Sequence, residues 1–208
     1  MSSAVSYDRD VDLTDVSHIA RSGIKIGLFT AVAVLLFSLV HRFTGGAVEA
    51  ILGALIVAAG IFVVAFLPGI WTNPRTIEGI AGAAAIGLAG AVVFLLVDVV
   101  LLQKIGTYTN RWRAIGGGSN WWYHPVWWMV GTFLPWMGAF ILSNQAARGG
   151  ASVGKAAGLV AVLALVFGAL GVTLHVPYAG WNLGTFAVAV LPALAAATAI
   201  TGLGSRRS

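Results

Sequence analysis

The chain contains no cysteine. Disulfides, thiolate catalysis and Cys-ligated zinc or iron–sulfur sites are therefore excluded. Charge is also scarce. Only 9% of the 208 residues are Asp, Glu, Lys or Arg, and 59% are hydrophobic. A soluble domain carries about 25% charged residues. The recurring catalytic signatures are missing too: there is no HExxH, P-loop or GxSxG, and no paired-carboxylate motif. No apolar segment has two histidines at haem-ligating spacing, and none holds a lysine placed for a retinal Schiff base. The sequence identifies no cofactor.

What is present is a series of long apolar runs. Runs of about 18 residues or more read as membrane spans. Six can be drawn: residues 24–41, 48–71, 79–103, 125–143, 156–175 and 183–203. The expected fold is an all-α integral membrane protein, a bundle of about six transmembrane helices. A polar cytoplasmic tail over 1–23 precedes the helical domain of 24–203, and a basic tail over 204–208 follows it. The first residues, with Asp8, Asp10, Asp12 and Asp15, do not read as a cleaved secretory signal. Thr14 or Asp15 is placed to cap a short helix before the first span. Pro68 and Pro74 are expected to end the second span. Pro135 and Pro192 fall inside later ones, and Pro135 should free the carbonyl of Gly131.

The net charge of +5 argues for membrane flanks rather than nucleic acid, because the basic residues lie beside the spans. With the N-terminus inside, Arg9, Arg21, Lys25, Arg75, Arg148, Lys155, Arg206 and Arg207 are inner, and Arg42, Lys104, Arg111 and Arg113 outer. That excess favours N-in and C-in, in a bacterial-type inner or plasma membrane.

Within that topology His41, Glu49, Asp98, His124 and His175 share the outer side. Asp98 leads, since an acid inside a span is costly and a functional candidate by default. The others have plainer readings, as polar residues at span ends or an acid at a helix N-terminus. Small residues at four-residue spacing, Gly79, Ala83, Gly87 and Ala91, predict a close helix contact. Gly154, Gly158 and Gly168 predict another, ending at His175. The arc of the first stripe contains Asp98, which should face a neighbouring helix. Trp121, Trp122, Tyr123, Trp127 and Trp128 make a Trp-rich interfacial segment between spans 3 and 4. It suits the membrane interface, and also a mobile lid on the Gly116–Gly118 hinge or a contact face for a partner, lipid or planar cofactor.

Three functions remain open. The first is a non-catalytic accessory or scaffold subunit, with the bilayer and protein partners or a homo-oligomer around it. The second is a small proton-coupled transporter or channel using Asp98. The third is a redox or metal-binding protein using His41, His124, His175 and Asp98.

Overall fold

The computed structural model describes residues 14–108 and 123–203. Among these, the regular structure is all helical. The six helices are α1 (Val16–Phe43), α2 (Gly46–Thr72), α3 (Ile77–Val97), α4 (Tyr123–Ala146), α5 (Val153–Thr173) and α6 (Leu183–Gly202). A single π-helical turn, Asp98–Leu102, extends α3. All six helices are long and apolar enough to cross a membrane, which marks an integral multi-pass protein. Trp121 and Trp122 lie outside the described residues, as do Arg111, Arg113, the Gly116–Gly118 hinge and both tails, 1–13 and 204–208.

Three differences from the expected helix bounds bear on the site and its neighbours. First, α1 begins at Val16, so residues 16–23 belong to the first span. Asp15 caps it, accepting from the His18 backbone N–H at 2.9 Å. No breaker separates this turn from the apolar run, and Ser22 and Gly23 are buried. The helix has 28 residues and is about 42 Å long. Second, α2 runs through Pro68 to Thr72. Proline removes one N–H without ending the helix when its ring packs well, and Pro68 is fully buried. The stop comes instead from Asn73, left-handed at φ 47°, whose N–H returns to the Gly69 carbonyl at 3.1 Å. Third, α5 ends at Thr173, ahead of His175.

Contacts fix the sense of each helix. Gly23 of α1 lies against Ala89 of α3, and Gly27 against Val93, so these two run parallel. Gly87 of α3 faces Gly131 of α4, whereas Phe94 packs on Trp127 at 4.4 Å, so these run antiparallel. Ala65 and Gly69 of α2 meet Gly138 and Ala139 of α4 in parallel order. In α6, Thr201 accepts from Asn144 near the end of α4, and Gly168 of α5 sits on Phe186. Every helix therefore reverses the one before it, as six successive crossings require.

α3 is the hub. One face, Gly87 and Ala91, meets α4, and another, Gly90, meets Ile26 of α1. A Cβ at Gly87 would overlap the Gly131 carbonyl and the Pro135 ring. Pro135 leaves that carbonyl without its helical N–H, and it lies in position for a weak Cα–H···O contact with Gly87. The α5–α6 hairpin packs on α4 mainly through α6. α5 turns Ala156, Val160, Ala164 and Gly168 inward. Gly154 and Gly158 are exposed, with nothing within 4 Å of a Cβ at either. They lie two residues from Ala156 and Val160, about 200° around the helix, and so leave the expected stripe.

Candidate functional site

The alternating helices bring the C-terminal ends of α1, α3 and α5 to one end of the bundle, with the N-terminal ends of α2, α4 and α6. His41, Glu49, Asp98, His124 and His175 all lie toward that end. They do not form one pocket there.

Asp98 is fully buried. It opens the π turn, in which the Gln103 N–H returns five residues to the Asp98 carbonyl at 2.9 Å. The widened turn aligns the Gln103 side chain with the carboxylate, and Nε2 donates to Oδ2 at 2.6 Å. The chain then folds back on itself. Gly106 takes a left-handed φ of 72°, which glycine adopts without strain. Tyr108 returns its hydroxyl to the other carboxylate oxygen of Asp98. Each oxygen thus accepts a bond from the fold-back, and the full burial of Asp98 agrees with the inward direction that the small-residue stripe implied.

α1 pins the same segment from the side. The Ser38 hydroxyl donates to the Thr107 carbonyl. Arg42 Nη2 donates to the Gly106 carbonyl at 2.6 Å. Two backbone acceptors that no regular element serves are thereby satisfied. Beneath them Leu102 and Tyr108 pack with Ala31, Val34, Phe94 and Leu95. The result is a clasp that joins α1 to the end of α3 and directs the chain toward α4.

Two of the other candidates pair with each other. His41 Nδ1 lies 2.6 Å from Glu49 Oε1, a pair that closes the α1–α2 turn. The Phe37 ring meets the His41 ring nearly edge-on at 4.4 Å. His124 is half-buried in the first turn of α4. His175 is exposed and left-handed, with φ 56°. It follows α5, on the hairpin that α4 and α6 separate from α1 and α3. Among the described residues no three His, Asp or Glu side chains gather to hold a metal ion. Trp127 is packed on Phe94 inside the bundle, and Trp128 is exposed.

Gln103, Arg42, Thr107 and Tyr108 were not singled out from sequence. A polar residue at i+5 and a tyrosine at i+10 from an intramembrane acid are the only trace they leave there. Chemically the clasp is a buried hydrogen-bond network built around one carboxylate, in which the Thr107 hydroxyl has no hydrogen-bond partner among the described residues. The chain matches no known protein family, no curated protein and no solved structure.

Proposed function

We propose that this protein is a non-catalytic multi-pass membrane subunit, a scaffold or accessory component within a larger assembly. It lies N-in and C-in in a bacterial-type inner or plasma membrane, with the basic residues of the α2–α3 and α4–α5 turns inside. The observation that carries this reading is that both oxygens of the buried Asp98 carboxylate are engaged by its own segment, through Gln103 and Tyr108. Binding energy there serves the joint between α1 and α3. The exposed small residues Gly154 and Gly158 of α5, with nothing within 4 Å of a Cβ at either, support close approach of a protein neighbour on that side.

Purification in mild detergent after cross-linking in the native membrane tests it. A stoichiometric partner or a defined homo-oligomer is expected. A lone monomer that by itself moves a solute across liposomes overturns it.

A second reading has one specific support. π turns recur at functional sites, and the π turn here begins at the buried acid. In that reading Asp98 is the proton site of a small transporter, and Asp98→Asn abolishes a proton-driven flux in liposomes. No proton-driven flux from the unaltered protein removes it.

A further inference from the structure

α1 and α2 touch near both ends and separate between. At one end Phe37 lies 3.3 Å from where a Cβ on Gly53 would stand, below the His41–Glu49 pair. At the other, Lys25 Nζ lies 5.6 Å from the centre of the Trp71 ring. Between these contacts is a groove of about 260 Å³, with α3 and α4 as further walls. Its lining carries no ionisable side chain. Thr30 contributes a hydroxyl, but that hydroxyl donates to its own helix, to the Ile26 carbonyl at 2.9 Å. The walls thus offer water few polar partners. Gly60 and Ala33 leave the space unfilled, and Gly60 has nothing within 4 Å of a Cβ.

We infer that this groove holds one acyl chain of a membrane phospholipid as a fixed part of the structure. An unfilled apolar channel among packed helices forfeits dispersion contacts along its walls, and hydrocarbon restores them. The dimensions fit a single chain. The groove extends along α1 from Ile26 to Phe37, about 16 Å, close to half of a hydrocarbon core about 30 Å thick. Its rim residues Thr30, Ala33, Ile56 and Gly60 are part-exposed, so it opens sideways to the bilayer. This site goes beyond the subunit reading and does not depend on it.

The test uses the full chain in mild detergent, exchanged extensively and then supplied with palmitoyl-oleoyl phosphatidylglycerol. Native mass spectrometry reads the bound lipid. Gly60→Phe fills the groove from its open wall, and Gly158→Phe makes the same change on the exposed face of α5. The unaltered protein and Gly158→Phe are expected to keep one phospholipid, while Gly60→Phe loses occupancy about tenfold or more. Ala33→Leu is a second filling variant should Gly60→Phe fail to give a monodisperse helical protein. Equal retention in filled and unfilled grooves overturns the inference. So does an unaltered protein that holds no lipid, or one that holds an isoprenoid quinone instead.

Discussion

The Tyr108 hydroxyl reaches back ten residues to the carboxylate of Asp98, at the end of the helix from which its own segment departs. Gln103 holds the second oxygen, and Ser38 and Arg42 of α1 hold the carbonyls of Thr107 and Gly106. An ionisable residue at membrane depth is thereby built into the joint between two helices, where leaving any one group unpaired is costly.

Removing a donor exposes that cost. Tyr108→Phe preserves the ring that packs with Phe94 and Leu95 but takes away the hydroxyl from which one carboxylate oxygen accepts. A buried group so deprived loses about 1–3 kcal/mol. Asp98→Asn presents an N–H₂ to a site built from donors and should cost a similar amount. The double variant should be less destabilised than the sum, with a coupling of about 0.5–3 kcal/mol. Thermal or denaturant unfolding in one detergent measures all three. Strict additivity would mean that the Tyr108–Asp98 bond does not hold the joint.

Glycines that look alike in sequence should respond in opposite ways. Gly87→Ala puts a methyl group onto the Gly131 carbonyl and the Pro135 ring, which are backbone and a rigid ring, so α3 and α4 must move apart. Overpacking of this kind costs about 1–3 kcal/mol. Gly158→Ala meets open space and should be neutral or stabilising by up to about 1 kcal/mol, from helix propensity alone. Melting temperatures of the two variants decide this. An equal loss at both would mean that the exposed face of α5 is occupied by another protein in the purified particle.

These residues also mark how far the sequence could be read. Six apolar runs announced six helices, because length and hydropathy are local properties. The stripe from Gly79 to Ala91 is buried because four-residue spacing alone puts small side chains on one face. Gly154 and Gly158 have the same spacing and face outward. Periodicity gives a face but not its direction, which depended on where α6 came to lie. The cap at Asp15 was legible, but not that its helix continues into the first span, because nothing local shows α3 covering Ser22 and Gly23. The partners of Asp98 were hidden for another reason: a π turn shifts helical phase, so projecting Asp98 at 100° per residue stops being valid where it begins. His175 was assigned to the polar end correctly by depth, but depth carries no information about which side of the bundle a helix occupies.

Acid should loosen the start of α1 first. The Ser17 hydroxyl and then the His18 backbone N–H hold the Asp15 carboxyl below its ordinary value. A lowered pKa means that the folded state prefers the ionised form. The capping contribution is therefore complete at neutral pH and is lost as pH falls through the ordinary carboxylate range and below. Hydrogen exchange at the amides of His18 and Ile19 should quicken over that window, while amides near Gly27 stay protected. Asp15→Ala should show the quick exchange at all pH values, and Asp15→Asn, which still caps, should remove the pH dependence. A pH-independent first turn in the unaltered protein would assign its stability to the packing of Ser22 and Gly23.

The absence of cysteine gives a direct means of testing the crossings, since a single introduced thiol has no background. Tyr178, in the turn between α5 and α6, is fully exposed, and Gly150, in the turn between α4 and α5, is exposed with nothing within 4 Å of a Cβ. The two turns lie at opposite ends of α5. In intact cells a membrane-impermeant maleimide should label Tyr178→Cys at once and Gly150→Cys only after the membrane is opened. That pattern puts the Asp98 clasp toward the outer face and the basic turns inside, as the distribution of lysine and arginine favours. The reverse pattern keeps six crossings but inverts the protein. Labelling of both thiols from outside would mean that α5 does not cross, and that the α5–α6 hairpin reaches its place on α4 from one side of the membrane.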